Sequence, residues 1–175
     1  MIDDLIKLFS IKVDYDFMIM HDNQSLSDIS VRVLSSLDPL LRKVRPDLVL
    51  VQGDTTTASI GALSAFYNKI PIGHVEAGLR SLDKMSPYPE EINRRLISLV
   101  ADLHFAPTTH NAQNLRSEKV DPSRIFVTGN TVIDSLLYIS KKNRRILDTY
   151  LPSGALISHR MILVTAHRRE NWGEP

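Results

Sequence analysis

The chain has 175 residues, 43% of them hydrophobic and 23% charged, which is typical of a globular protein with one sizeable core. Its formal net charge of +1 gives no bulk electrostatic reason to expect nucleic-acid or membrane-surface binding. Without cysteine it can hold no disulfide, thiol nucleophile or thiolate-bound metal. The N-terminal residues are acidic where a signal peptide would be basic, and no apolar run could span a bilayer, so a cytoplasmic protein is expected.

Short apolar runs alternate with longer amphipathic stretches along the chain. Apolar residues at helical spacing from Leu26 to Val44 predict a helix, which Asp38-Pro39 should kink or divide in two. The β-branched run at 47–52 predicts a buried parallel strand. Further helices are predicted at 56–68 and 89–100 and from about 109 and 131, with strands at 70–75, 103–106, 124–127 and 161–165. This alternation predicts an α/β fold with a doubly wound parallel sheet covered on both faces.

A domain boundary is predicted near residue 155, because the segment 150–154 has turn chemistry. Residues 1–155 would form an incomplete N-terminal Rossmann-like domain. Residues 156–175 would supply the first strand and motif of a second domain. One strand cannot fold as a domain, so we expect either a longer native chain or a partner on which this piece docks.

Polar or small residues follow each predicted strand. The groups are Gln52-Gly53-Asp54-Thr55, Glu76-Ala77-Gly78, Pro107-Thr108, Thr128-Gly129-Asn130 and Thr165-Ala166-His167-Arg168-Arg169. Ligands of parallel sheets lie beyond the carboxyl ends of the strands, so five such groups in series indicate the rim of a site. The chain has neither G-x-x-x-x-G-K-[ST] nor G-x-G-x-x-G, which argues against a nucleoside triphosphatase and a dinucleotide-binding enzyme.

The acidic candidates each have a structural alternative. Asp54 or Thr55 could simply cap the following helix. Glu76 could pair with Arg80, four residues further on. Glu90, like its neighbour, could serve only the helix dipole, because both follow Pro89 in a first helical turn.

The basic candidates divide in the same way. His167 and Arg168 follow an apolar strand, where a histidine and two arginines beside a helix start would suit a pyrophosphate. The structural alternative is that these basic residues only begin a helix and face solvent. Four isolated histidines receive no role, namely His21, His104, His110 and His159.

Several long motifs, in this order and spacing, resemble the UDP-N-acetylglucosamine 2-epimerase family, of the non-hydrolysing bacterial and archaeal type. The motifs are the segments 46–57, 74–81, 86–94, 125–134 and 162–171. The resemblance implies a GT-B-like architecture, with two Rossmann-like domains and a UDP-sugar in the cleft between them. It also implies interconversion of UDP-N-acetylglucosamine and UDP-N-acetylmannosamine by elimination and return of UDP, without a metal or other cofactor.

The resemblance also implies roles for individual residues. Asp54, Glu76, Glu90 and His167 match the family's catalytic positions. Asp54 and Glu76 are expected to act on the sugar, and Glu90 to assist in proton transfer or positioning. Asp54, Glu76, His167 and Arg168 are the expected substrate contacts, with His167 beside the pyrophosphate. Which carboxylate serves which face of the sugar stays open.

The resemblance leaves other readings open. Family members begin with a strand and a glycine-containing loop that this chain lacks, and their far half is missing too, so we expect the isolated chain to be inactive. A hydrolysing relative would release free N-acetylmannosamine and UDP. A non-catalytic half-enzyme would bind a separate chain supplying the second domain, and a glycosyltransferase would transfer the sugar to an acceptor. The expected partners are a UDP-sugar and, in the full-length family, a second copy in a homodimer.

Overall fold

The computed structural model describes residues 2–142, and the side chains of residues 4–141. The chain divides into two units, Met1–Asn130 and Thr131–Pro175, which are described separately. The described elements of the first unit are α1 (Ile2–Leu8), α2 (Leu26–Val44), β1 (Val49–Gln52), α3 (Thr56–Tyr67), β2 (Ile72–Val75), α4 (Glu90–Val100), β3 (Leu103–Ala106), α5 (Thr109–Ser117), a 3-10 turn (Pro122–Arg124) and β4 (Ile125–Val127). The described part of the second unit is helix α6 (Thr131–Lys142).

The four strands form one parallel sheet in the order β1-β2-β3-β4. β1, β2 and β3 are each followed by a helix that returns the chain to the next strand, which confirms the predicted α/β fold with a parallel Rossmann-like sheet. Since successive strands advance in one direction, right-handed crossovers place α3, α4 and α5 on the same face of this sheet. All four carboxyl ends therefore open at one edge, and the strand-end loops meet there.

The helix-covered face of the sheet forms the core. One residue from each strand lies in register across it, and Val51, His74, His104 and Ile125 are all buried. The opposite face is more open, and Leu50 there is 60% exposed. The prediction that β1 is buried was therefore wrong for Leu50, because α3 covers the Val51 face of the strand and the opposite face is open within the described residues.

Helix α2 runs unbroken through Asp38-Pro39, so the alternative of two separate helices is wrong. A capping box starts it, in which Ser25 and Asp28 exchange side-chain to backbone hydrogen bonds. Asp38 does not cap a new helix, because its carboxylate accepts a hydrogen bond from Asn68 at 2.8 Å. Pro39 removes only one backbone donor, and the packing of Leu41 in the core keeps the helix intact.

Helix α4 is oriented differently from what its apolar pattern suggests. The sequence places Ile92, Leu96, Leu99 and Val100 on one face, yet the first three are exposed, Leu99 to 82%. Only Val100 of these packs against the core, beside the buried Ile97. The face turned inward is largely polar, because it supplies the loops at the sheet edge with hydrogen bonds.

The predicted strand at 161–165 and the domain boundary near 155 lie outside the described residues. None of the helices within residues 2–142 is long and apolar enough to cross a membrane.

Candidate active site

The loops that follow β1 and β2 lie side by side at the carboxyl edge of the sheet. Gln52 and Val75 are in register, and the backbone N–H of Gly53 donates to the carbonyl of Val75 at 3.0 Å. Gly53 has a φ of +72°, and a Cβ there would lie 3.7 Å from Oε2 of Glu76. The loop carrying Asp54 therefore passes directly beside the Glu76 carboxylate, which brings two predicted site residues together.

Asp54 is held by helix α4. Its Oδ2 atom lies 2.7 Å from Nη2 of Arg94, and its carbonyl accepts a hydrogen bond of 2.9 Å from the Asn93 amide. The helix cap is provided by Thr55, whose hydroxyl accepts from the N–H of Ala58. The capping alternative thus applies to Thr55, and the Asp54 carboxylate pairs with Arg94 instead.

Glu76 has an unusual backbone conformation, with a φ of +70° that a non-glycine residue seldom adopts. Its Oε1 atom accepts a hydrogen bond of 3.1 Å from the Asn130 amide. The alternative of an ion pair with Arg80 is wrong, because that guanidinium forms two hydrogen bonds of 2.6 Å with Glu118. Positive φ at a strand end is the kind of backbone strain that clusters at functional sites.

Glu90 and its neighbour Glu91 have different environments despite standing side by side. Glu91 is fully buried and accepts from the N–H of Ser81 at 2.9 Å and from Nε of Arg95 at 2.8 Å. Burial raises the pKa of Glu91, but these hydrogen bonds more than offset it and hold the pKa below its ordinary value. Glu91 is therefore a structural carboxylate.

Glu90 opens α4 at the same edge of the sheet. Its Oε2 atom is buried and has no hydrogen-bond partner among the described residues. Positions four apart share a helix face, so Glu90 lies on the same side of α4 as Arg94, the partner of Asp54. A buried carboxylate oxygen without a partner is costly, and such an oxygen at this edge is suited to a ligand.

The loop between Glu76 and Ser81 is fixed by contacts with β3 and α5. The N–H of Ala77 donates to Phe105 of β3, and the Asn114 amide donates to the carbonyl of Gly78 at 2.9 Å. Gly78 has a φ of +87°, and a Cβ there would meet the Asn111 carbonyl at 2.3 Å. This loop therefore admits no side chain at residue 78, and it presents Glu76 from a rigid base.

Arg80 also stabilises the loop that carries Glu76. Its side chain is 2% exposed, and besides Glu118 it donates to the hydroxyl of Ser98 at 3.0 Å. The interaction joins the loop after β2 to both α4 and the end of α5. No local pattern in the sequence pointed to Glu118, which lies 38 positions from its partner.

His74 lies directly beneath the site and is fully buried. Its Nε2 atom hydrogen-bonds with the carbonyl of Gly53 at 2.9 Å, which ties β2 to the Asp54 loop. Burial lowers the pKa of His74 to about 4, and burial likewise lowers the pKa of His104 beside it. Both imidazoles are therefore neutral at pH 7, and His104 has a structural position that the sequence did not indicate.

The structure thus brings Asp54 and Glu76 together and places Glu90 on the adjoining helix. His167 and Arg168 lie outside the described residues. The sequence assigned no role to Asn93 or Arg94, although they end a quoted motif, three and four residues after Glu90. Within residues 2–142 no group of three histidine, aspartate or glutamate side chains is placed to hold a metal ion.

Known proteins are similar to this chain in sequence and in fold. The sequence model of the UDP-N-acetylglucosamine 2-epimerase family matches residues 1–175. The Escherichia coli K12 UDP-N-acetylglucosamine 2-epimerase is 51% identical over 179 residues, which cover 99% of this chain and 47% of that protein. The chain therefore spans about half the length of the curated relatives it matches.

Solved structures give the same result. The Neisseria meningitidis UDP-GlcNAc 2-epimerase bound to UDP-GlcNAc is similar with a TM-score of 0.90 and 48% identity, over 98% of this chain and 47% of that one. The Methanocaldococcus jannaschii UDP-GlcNAc 2-epimerase in complex with UDP-GlcNAc and UDP gives a TM-score of 0.77 and 36% identity, over 84% of this chain and 41% of that one. The chain belongs to the UDP-N-acetylglucosamine 2-epimerase family.

Proposed function

We propose that this chain supplies the sugar-facing carboxylates of a non-hydrolysing UDP-N-acetylglucosamine 2-epimerase. The observation that carries the proposal is the pairing of two strand-end loops, in which Gly53 brings the Asp54 loop against the Glu76 carboxylate. The similar Neisseria meningitidis and Methanocaldococcus jannaschii structures contain bound UDP-GlcNAc. The same ligand is therefore the expected substrate here.

The chemistry requires groups of this type. A base removes the proton at carbon 2, and the C1–O bond breaks so that UDP leaves with the bonding electrons. The bound intermediate is 2-acetamidoglucal. UDP oxygen then adds back to carbon 1 while a proton is delivered to carbon 2 on the opposite face. Proton transfer on two faces needs more than one acid or base, and a positioned acid–base group contributes about 10²–10⁴-fold to the rate.

Each of the three carboxylates has a distinct setting for this reaction. Asp54 is fixed by the Arg94 guanidinium at 2.7 Å, which keeps it beside the sheet edge. Glu76 is held by a neutral amide on one oxygen. Glu90 carries a buried oxygen with no partner among the described residues, so a substrate hydroxyl or amide can satisfy it.

Other features of the proposal extend past the described residues. His167 and Arg168 are proposed to contact the pyrophosphate from a second domain that begins near residue 156. That domain is proposed to come from the same polypeptide or from a separate chain. A homodimer and a cytoplasmic location remain predictions, and sedimentation of the purified protein would test the first.

The proposal is tested with the chain alone and with a chimera. In the chimera these 175 residues replace the matching segment of the Escherichia coli relative, which is 51% identical to them. Each protein is incubated with UDP-GlcNAc in deuterated water and followed by proton NMR at carbon 2. We expect no exchange by the isolated chain, and deuterated UDP-N-acetylmannosamine from the chimera.

The chimera also tests the individual residues. Asp54→Asn, Glu76→Gln and Glu90→Gln should each slow the chimera by about 10²-fold or more. Lys69→Gln, at the end of α3 away from the strand-end loops, is the matched surface control. Free N-acetylmannosamine as the product would assign the hydrolysing reaction. A folded chimera that keeps full activity with all three carboxylates replaced would refute the proposal.

A further inference from the structure

Asn130 reaches Glu76 from the loop that follows β4. The loop is tied to the sheet where the N–H of Thr128 donates to the Ala106 carbonyl at 3.0 Å, and Gly129 turns it with a φ of +83°. The Asn130 Nδ2 atom then lies 3.1 Å from Oε1 of Glu76. A carboxylate only accepts hydrogen bonds, so the amide must present its nitrogen to it.

The two oxygens of Glu76 consequently have different surroundings. Oε1 is engaged by Asn130, whereas Oε2 borders Gly53, which has no side chain to cover it. The backbone next to Glu76 is fixed where the N–H of Ala77 donates to the carbonyl of Phe105 on β3. With the backbone and one oxygen held, the second oxygen has a defined direction.

We propose that Asn130 is a positioning residue that holds Oε1 of Glu76 and so directs Oε2 toward the sugar. This rests on the proposed function, in which Glu76 exchanges a proton with carbon 2. A well-oriented base is favoured because misplacement of a reacting group by about 1 Å can cost 10²-fold in rate.

The donor type has a consequence of its own. Asp54 is held by a charged guanidinium, whereas Glu76 is held by a neutral amide. Asn130 orients Glu76 without adding a positive charge beside it. The contact therefore fixes the direction of the carboxylate and leaves the net charge beside it unchanged.

The test follows the Glu76 carboxyl carbon by ¹³C NMR across a pH series, using the chain itself with labelled glutamate. The resonance is assigned by its absence in Glu76→Gln. Asn130→Asp puts a second carboxylate about 3 Å from Glu76, and two carboxylates that close resist joint ionisation. We expect the titration midpoint of this resonance to rise by about one pH unit or more. Asn130→Ala removes only the donor and should raise it less.

Asn68→Asp is the matched control. Asn68 also donates to a carboxylate, that of Asp38 at 2.8 Å. It lies at the C-terminal end of α3, whereas the Asp54 loop beside Glu76 lies at the N-terminal end. A 12-residue helix is about 18 Å long. Asn68→Asp should therefore leave the Glu76 resonance unchanged.

Equal midpoints in the wild-type chain, Asn130→Ala and Asn130→Asp would overturn the inference. So would an equally large shift in Asn68→Asp, because the effect would then not be local. Amide spectra of each variant confirm that it is folded, and the Asn130→Ala result decides the matter if the aspartate variant does not fold. The titration needs no epimerase activity, so its failure is distinguishable from a failure of the exchange experiment.

Discussion

Helices α3 and α4 are neighbours on the same face of the sheet, yet they bury opposite kinds of residue. The buried positions of α3 are small and mostly apolar, namely Ala58, Ser59, Gly61, Ala62, Ser64 and Ala65. Those of α4 are mostly polar, namely Glu91, Asn93, Arg94, Ile97 and Ser98. Close packing holds α3 against the sheet, whereas ion pairs and hydrogen bonds attach α4 to the loops of the site.

This difference shows that the helices on one face of the sheet have two roles, packing of the core and support of the strand-end loops. α3 forms the core with Val51 and Ile72, and its composition serves packing alone. α4 fixes the Asp54 loop through Asn93 and Arg94, and the loop after β2 through Glu91. A helix that supports a site in this way has to bury polar side chains, and each of them needs a partner.

The largest expected effect comes from the buried carboxylate of α4. Glu91→Ala should lower the free energy of unfolding by about 3–5 kcal/mol, because the buried Arg94 guanidinium loses one of its two carboxylate partners and the Ser81 N–H loses its acceptor. Urea unfolding measures the loss. Glu90→Gln is the matched control, since it changes the adjacent glutamate and should cost less than about 1 kcal/mol. Equal losses in the two variants would remove the distinction between a structural and a site carboxylate.

The polar interior also predicts a pH dependence. Burial lowers the pKa of His74 from 6.5 to about 4, so the unfolded chain binds a proton at a higher pH than the folded chain does. The contribution of His74 to stability is fully present above pH 6.5 and declines as the pH falls toward 4, by about 3 kcal/mol in total. Urea unfolding at several pH values should show this decline. It should be smaller in His74→Gln, and an identical slope in that variant would contradict the assignment.

The smallest effects on stability are expected in α3, where they depend on the room available for a larger side chain. A Cβ at Gly61 would meet Val51 at 3.7 Å and Leu37 at 3.8 Å, which is ordinary contact. Gly61→Ala should therefore stabilise the chain by about 0.5–1 kcal/mol through helix propensity. Ala62→Leu, one residue on, should destabilise it by about 1–3 kcal/mol, because Ala62 is fully buried. Thermal unfolding compares the two, and a stabilising Ala62→Leu would show that α3 is not closely packed.

The sequence predicted the elements more successfully than their orientation. The apolar period of α4 located the helix to within one residue of its start, but it could not show that Ile92, Leu96 and Leu99 would be exposed. Periodicity reports that a helix has two faces, and the inward face depends on what surrounds it. In α4 the surroundings are loops that need hydrogen bonds.

The site could be predicted in part for a similar reason. The proximity of the Asp54 and Glu76 loops could be predicted because strand-end positions of a parallel sheet converge, which is a property of the chain order. The partners that hold them could not be found in this way. Asn130 is 54 positions from Glu76, and Arg94 is 40 positions from Asp54. No local pattern encodes contacts of that length.

The sequence by itself determined the class of fold, the positions of most helices and strands, the family and the carboxylates at the sheet edge. These follow from local propensity, from the order of strands and helices, and from motifs that are contiguous in the chain. The tertiary structure decided which carboxylates are structural, which face of α4 is buried and which amide orients Glu76. Those features depend on side chains that meet only after folding, when burial makes an unpaired polar group costly.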